Sequence, residues 1–491
     1  MIMEKDQRTD FSRLTLKGTL WSYLSVYSGK FLVFISTIVL ARLLTKSDFG
    51  VVGYAFIVTS FLDALDGLGI GPALVYHKEE PETANTAFWL GIGMGVGLFI
   101  TAWLAAPLIG NYFNDIRAVS VIRAMVLVYP ISALGNINQT FLVKNLDFKK
   151  KFIPEIVNAA VKGIISVTLA FLGFGYWSQV WGQVVSKSAM VAASHIVFPW
   201  HPKFRFSRTI AKSMLKYGGN IVALDSLANL LNNADYLLIG HYMGAEALGV
   251  YTLGFRVPDM VLTQFARIVS DVTFPVYVKM REDAEVLNRG FEKSIKYISL
   301  ATVPLGLGIA LAAKPMVLAL FTDKWMEAIP VIRAIAIYAL LLSLFRNAGS
   351  LYKAQGRPEI LTHLTLVRLA FLIPALWIAV AVFKSIEVVG WFQALVALIS
   401  GILSLAVAGR IFKIKPGDML IQFLPAIFCG VLMSAGCLAV LYFAKDVSPW
   451  LQLGLVALSG AVVYAGSLRL IFPSQFNEVH RMLLKAVKRD A

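Results

Sequence analysis

Cysteine is nearly absent from this chain: two residues in 491, Cys429 and Cys437. Eight positions apart in one apolar run, they would stand about 12 Å apart along a helix, beyond the reach of a disulfide, so no covalent framework is expected. Charge is also scarce. Only 15% of residues are Asp, Glu, Lys or Arg, whereas a soluble domain carries roughly a quarter. Acids are outnumbered by bases, 29 to 45. What remains is 58% hydrophobic, with a mean hydropathy of +0.71, more apolar surface than a water-soluble fold can hide. Catalytic signatures are missing as well. There is no Walker A sequence, no His-Glu-x-x-His and no Cys-x-x-Cys, and the six histidines are scattered. ATP hydrolysis, metal catalysis and a bound cofactor are therefore not expected.

What the chain does have is apolar stretches of about 20 residues, recurring from Gly18 to Phe472 and bounded by charge, Pro or Asn. That is the length needed to cross a hydrocarbon core of about 30 Å as helix. Membrane-barrel strands would be apolar at every second position, but FLVFISTIVL and AVVYAGSLRLIF are apolar on all sides. The expected fold is an all-α polytopic membrane protein of about fourteen transmembrane helices, the first over 18–41 and the last over 450–472. The polar, basic N-terminus runs into the first span without a small-residue cleavage site and reads as an uncleaved signal anchor.

Lys and Arg concentrate on one set of ends: Lys144 with Lys149 to Lys151, then Lys203, Arg205, Arg208, Lys212 and Lys216, and finally the tail's Arg481, Lys485, Lys488 and Arg489. By the positive-inside rule both termini are cytoplasmic. The net charge of +16 is thus spread over short loops facing anionic headgroups, with no nucleic-acid partner implied. Outer loops such as NYFNDIR and FTDKWMEA are short, leaving no material for an extracytoplasmic catalytic domain. A transporter is favoured over an enzyme.

The chain also repeats. ARLLTKSDFGVVGYAF from Ala41 aligns with GHYMGAEALGVYTLGF from Gly240, pairing Gly50 with Gly249 at an offset of 199. VIRAMVL from Val121 matches VIRAIAI from Val331 at an offset of 210, pairing Arg123 with Arg333. Six spans separate the equivalents, so the halves run in the same direction, as two parallel six-helix lobes plus two C-terminal helices. The expected boundaries are 1–198 for the first lobe, 199–216 for a basic cytoplasmic linker, 217–409 for the second lobe, 410–472 for helices 13 and 14, and 473–491 for a basic tail.

Ten cations and six aspartates stand out inside the expected spans. A charge at a helix centre costs about 2.5–3.5 kcal/mol on insertion scales, so most must face a wet or paired interior. Lys30, Lys162, Lys187 and Arg368 lie mid-span without a local partner; with Arg256 and Arg267 they are the candidates for a cationic, anion-binding cavity. Arg256 with Asp259 and Arg267 with Asp271 have the spacing of helix-surface pairs that partly neutralise each other. Arg123, Lys314, Arg333 and Arg346 lie nearer helix ends, where an interfacial or ion-paired role is about as plausible. Asp63, Asp66, Asp225 and Asp235 are the candidates for ion coupling, since like charges on one low-dielectric face favour uptake of a proton or cation. Gly91, Gly93, Gly95 and Gly97 are expected to mark close helix packing, and Pro107 and Pro315 to bend their helices.

With these residues in place, the sequence resembles Wzx-type polysaccharide flippases, close to the colanic-acid exporters within the multidrug/oligosaccharidyl-lipid/polysaccharide (MOP) exporter superfamily. The resemblance is carried by LKGTLWSYLSVYSGKFLVFISTIVLARLLTKSDFGVVGYAF from Leu16, GLGIGPALV from Gly67, TAFWLGI from Thr86, NNADYLLIGHYMGAEALGVYTLGFRVPDM from Asn232 and FPVYVKM from Phe274. It implies a bacterial inner-membrane protein that moves undecaprenyl-pyrophosphate-linked oligosaccharide repeat units for exopolysaccharide, capsule or O-antigen synthesis. Membrane lipids, a polysaccharide polymerase and chain-length machinery are the implied partners. Arg256 and Asp235 fall on the family's pattern, while Ala247 departs from the first-half Asp48. A lipid II flippase and a cation-coupled multidrug exporter of the same superfamily are the alternatives, with a membrane polymerase further off.

Overall fold

The computed structural model describes residues 27–66, 74 and 81–489, with the side chains of 81, 217–225 and 482–489 outside that description. The part of the resemblance before residue 27 and the segment GLGIGPALV (67–75), apart from Leu74, consequently lie outside it, as does the Asp225 side chain. Every regular element among the described residues is helical. The helices are α1 (27–43), α2 (Lys46–Asp66), α3 (Pro81–Phe113), α4 (Ile116–Met125), α5 (Val128–Lys144), α6 (Phe148–Phe171), α7 (Trp177–Val197) and α8 (Arg208–Pro258). They continue as α9 (Gln264–Met280), α10 (Ala284–Met316), α11 (Ala328–Ala354), α12 (Pro358–Ala381), α13 (Ile386–Phe412), α14 (Pro416–Ile421), α15 (Leu424–Phe443), α16 (Pro449–Ile471) and α17 (Pro473–Arg489).

Ten helical stretches among the described residues are long and apolar enough to cross a membrane. The chain is a multi-pass membrane protein. The difference from fourteen has a physical reason: α7 and α8 carry polar and charged residues that lower hydropathy, while α9, at 17 residues, and the described part of α1 are short. Helix α8 is two helices joined at Gly244, whose φ of 78° and ψ of −172° belong to a region open essentially to glycine alone. That break falls in the gap expected between spans 217–240 and 247–278.

The chain divides into two compact units, Met1–Gly249 and Val250–Ala491. In the first, α2 begins with a reciprocal cap. Asp48 Oδ2 accepts from the Thr45 amide at 2.8 Å and its hydroxyl at 2.7 Å, and the Thr45 hydroxyl accepts from the Asp48 amide at 3.1 Å. The other carboxylate oxygen accepts from the Tyr176 amide at 3.1 Å, tying α2 to the α6–α7 turn. Ala247 at the equivalent repeat position can make no such tie. Helices α6 and α7 meet through small residues: a β-carbon on Gly182 would lie 1.9 Å from the Ser166 hydroxyl.

The start of α2 crosses the last turns of the same unit with a symmetry visible in the numbers. A β-carbon on Gly50 would stand 1.7 Å from the Ala245 carbonyl oxygen, and one on Gly249 would stand 2.0 Å from that of Lys46. Gly249 is Gly50 shifted by 199, and Ala245 is Lys46 shifted by 199, the offset of the repeat. Such an exchange of equivalent contacts is what a local two-fold relation produces. Of the Gly91–Gly97 series, only Gly95 touches a neighbour, its β-position lying 2.9 Å from the Tyr129 carbonyl; Gly91, Gly93 and Gly97 face open space. The close packing expected of all four is therefore confined to one.

In the second unit α10, α11, α15 and α16 contribute to one apolar cluster that includes Phe291, Leu351, Cys429 and Cys437. Both cysteines are buried and free. Pro315 is followed by a π-helical turn over Val317–Phe321. The tail helix α17 puts Phe476 and Val479 against this cluster. Glu478 accepts from the Lys296 ammonium at 2.7 Å and from the Tyr297 hydroxyl. The Lys296 hydrogen bond, then that of Tyr297, holds the Glu478 carboxyl below the usual carboxylate range. A carboxylate with a depressed native pKa stabilises above its unfolded value of about 4.3 and stops doing so as pH falls through the native one. Residues 473–481 are expected to exchange amide hydrogens faster in Lys296→Gln, and in the wild type below about pH 4, after correction for intrinsic exchange.

Candidate charged sites within the helices

Each unit holds its own group of charges. In the first, α2 presents Phe56, Thr59 and Asp63 at spacings of three and four, hence on one face. The Tyr129 hydroxyl of α5 lies 3.0 Å from Asp63 Oδ1 and 2.9 Å from the Thr59 carbonyl. A hydroxyl has one proton, so it donates to one of these acceptors at a time. While it serves Thr59, a protonated Asp63 could donate to the tyrosine oxygen. Lys187 of α7 acts electrostatically on both Asp63 and Asp66, which brings a residue expected in the cationic cavity to the expected aspartate pair. Lys162 of α6 sits 5.4 Å from the centre of the Phe56 ring, a cation–π distance. Lys30 is half-buried on α1, next to Gly29, whose β-position is 3.7 Å from Ala159 of α6. Asp235 is 1% exposed.

The second unit gathers arginines. Arg346 of α11 lies within the electrostatic reach of Arg267 and Asp271 on α9, Tyr338 on its own helix and Arg368 on α12. Arg267, Asp271 and Arg346 are exposed, and Arg368 is half-buried. An Arg368 terminal nitrogen donates to the Tyr338 hydroxyl at 3.1 Å, while its buried Nε has no hydrogen-bond partner. Backbone and side chains hold α9 on α11. Asn347 donates to the Tyr277 hydroxyl at 2.6 Å and accepts from the Thr273 hydroxyl at 3.0 Å, and the Ser343 hydroxyl reaches the Leu262 carbonyl at 3.3 Å. Each of the three guanidiniums carries a planar fork of donors whose geometry matches a carboxylate or a phosphate.

Two expected helix-surface pairs do not form. Neither Arg256 with Asp259 nor Arg267 with Asp271 comes within ion-pair distance among the described residues. The first pair stands at a change of helix type: the α-helix ends at Pro258 and a π-helical turn over Asp259–Thr263 starts at the acid. Arg256 is half-buried on α8 and is not among the charges acting on Arg346. Arg123 lies 4.0 Å over the Trp103 ring and donates from Nε to the Trp103 carbonyl at 3.3 Å.

The residues missed from sequence are Tyr129 and Tyr338, and Arg346 was placed among the helix-end charges. A signal existed. Both tyrosines follow the repeated VIRA motif, eight residues after its Val in the first half and seven in the second. The first-half helix is interrupted at Val126–Leu127, between α4 and α5, and α11 is continuous, which accommodates the extra residue. At matching places one tyrosine touches a carboxylate and the other a guanidinium.

The family described as polysaccharide biosynthesis protein matches residues 39–330. Over 95% of its length the chain is 24% identical to the teichuronic acid biosynthesis protein TuaB of Bacillus subtilis (strain 168), covering 97% of that protein. It is 26% identical to the lipopolysaccharide biosynthesis protein WzxC of Escherichia coli (strain K12), with 87% of each chain covered. Among solved structures, an inward closed conformation of the lipid II flippase MurJ superposes with a TM-score of 0.73 at 15% identity, covering 93% of this chain and 99% of that one. At that identity the likeness bears on the fold, and the fold is shared over nearly the whole chain.

Proposed function

Because the chain belongs to the polysaccharide biosynthesis protein family, we propose that it exports undecaprenyl-pyrophosphate-linked oligosaccharide repeat units across the bacterial inner membrane, with both termini in the cytoplasm. The observation that carries the reading is the Arg267, Arg346 and Arg368 group, in which Asp271 is the carboxylate that acts on Arg346. A diphosphate is too costly to carry through bare lipid, and guanidinium forks offset that cost by charge-assisted, bidentate hydrogen bonds. Lys30, Lys162, Lys187 and Arg256 supply further positive charge along the path, while the polyprenyl tail stays in lipid.

Transport proceeds by alternating access, the lobes 1–198 and 217–409 moving about the linker 199–216. Asp63, shared with Tyr129 and backed by Asp66 and Lys187, is the coupling site at which proton uptake alters the polar contacts of α2. The delivered repeat units then pass to a polymerase and chain-length machinery. A multidrug exporter for cationic compounds would need an acidic site where the second unit has arginines. A lipid II flippase shares the anchor and diphosphate of the proposed substrate and is separated from it by experiment.

Purified protein in liposomes is expected to translocate labelled undecaprenyl-pyrophosphate-linked oligosaccharide, with lipid II moved at least about tenfold more slowly, a preference of about 1.4 kcal/mol. Translocation of lipid II or of a cationic dye alone would overturn the reading.

A further inference from the structure

Between α7 and α8 the chain runs as a strap across the first turns of α3. The Lys203 amide donates to Asn85 Oδ1 at 2.5 Å, the Ser207 amide donates to the Thr86 hydroxyl at 3.0 Å, and Trp89 Nε1 donates to the Lys203 carbonyl at 3.0 Å. Further back, Asn138 donates to the Phe198 carbonyl at 2.8 Å. Three side chains of α3 thus satisfy strap backbone that neither helix nor sheet would satisfy. The strap is fixed, and it is fixed at the end of a helix long and apolar enough to cross the membrane.

Its underside is packed. Met214 is fully buried with Phe88, Ala87 and Ile137, and Trp200 and Ile210 lie against them. Its outer side has the opposite character. Phe204 stacks on Trp89 at 4.8 Å between ring centres and is nevertheless 91% exposed; Phe206 is 51% exposed. Lys203 and Arg205 alternate with these two rings and are exposed, as are Arg208, Lys212 and Lys216, which follow at intervals of four along α8. A held surface of aromatic rings interleaved with cations, at the level where a membrane helix ends, matches a headgroup layer in both polarity and sign.

We propose that the strap 201–216 is a docking surface for the anionic phospholipid headgroups of the leaflet at this end of α3. Phe204 and Phe206 enter the boundary between headgroups and acyl chains, and Lys203, Arg205, Arg208 and Lys212 engage the phosphates. Interleaving decides in favour of lipid over an acidic protein partner, because rings that must enter an apolar layer and cations that must stay at its surface are both served by a bilayer.

The test does not depend on transport. Cys429 and Cys437 are 0% and 1% exposed, so an environment-sensitive thiol probe on Phe206→Cys reports residue 206, with unlabelled wild type as control. In vesicles containing about one third phosphatidylglycerol, quenching by brominated lipids is expected to exceed that in pure phosphatidylcholine severalfold. Adding Arg205→Gln, Arg208→Gln and Lys212→Gln is expected to remove the gain while thermal melting stays unchanged. A probe open to aqueous iodide in both vesicles would point to a soluble partner and overturn the proposal. Equal lipid quenching in both, or a gain that survives the neutralised variant, would overturn it as well.

Discussion

Gly249→Ala and Gly50→Ala are each expected to destabilise the protein by about 2–4 kcal/mol, at or above the upper end of overpacking costs, read as a fall in melting temperature and in folded yield from detergent. The new β-carbon would lie 2.0 Å from the Lys46 carbonyl oxygen in one case and 1.7 Å from that of Ala245 in the other. Both obstacles are backbone, so neither can rotate away and the helices themselves must separate. Because the two glycines occupy one crossing, separation forced by the first relieves the second, and the double variant should cost clearly less than the sum. Gly97→Ala on α3 is the control. Nothing stands within 4 Å of its β-position, and alanine is the better helix former by about 0.5–1 kcal/mol, so this variant should be neutral or slightly stabilised. Additive losses at Gly50 and Gly249 would mean that the reciprocal contact does not act as one unit.

That crossing shows how much could be read before the fold was seen. Spacing alone paired Gly50 with Gly249, but only the packing shows that the aligned residues touch each other's neighbours. Apolar runs located the membrane helices because hydrophobic length is a strong constraint in lipid. They were weakest for α7 and α8, whose polar and charged residues dilute hydropathy. The failures arise because local spacing shows neither a change of helix type nor what packs against a helix. It paired Arg256 with Asp259 at the point where the helix gives way to a π-helical turn, and it read four glycines as a packing stripe when, among the described residues, a neighbouring helix meets only Gly95. Arg346 was placed by its distance from a helix end, whereas α9 and α12 bring Arg267 and Arg368 to it. Tertiary neighbours of that kind have no spacing to read. Tyr129 and Tyr338 were within reach, given the VIRA repeat, but an aromatic in a membrane span is most often packing, and their polar tips gain meaning only beside Asp63 and Arg368.

Arg368→Gln is expected to lower translocation of the lipid-linked diphosphate about 10- to 100-fold, with Arg346→Gln and Arg267→Gln in the same range. Loss of a charge-assisted hydrogen bond to the diphosphate costs about 1.5–3 kcal/mol, and each 1.4 kcal/mol is a factor of ten. Arg368 is the most informative of the three because its state is partly spent. A terminal nitrogen is held by the Tyr338 hydroxyl at 3.1 Å, and Nε is buried without a partner, a donor left for an incoming oxygen. Arg368→Lys keeps the charge and loses the fork, so it should recover only part of the loss. Tyr338→Phe keeps the ring, whose centre lies 6.0 Å from the Arg368 guanidinium carbon, and removes the hydroxyl that aims it; a few-fold decrease should follow. Asp271→Asn removes the carboxylate that offsets Arg346 and should tighten binding of the diphosphate while slowing its release. A structural role would predict something else: loss of thermal stability in step with transport, and no difference between a diphosphate and a monophosphate carrier. Full transport by Arg368→Gln, Arg346→Gln and Arg267→Gln alike would remove these arginines from the path of the substrate.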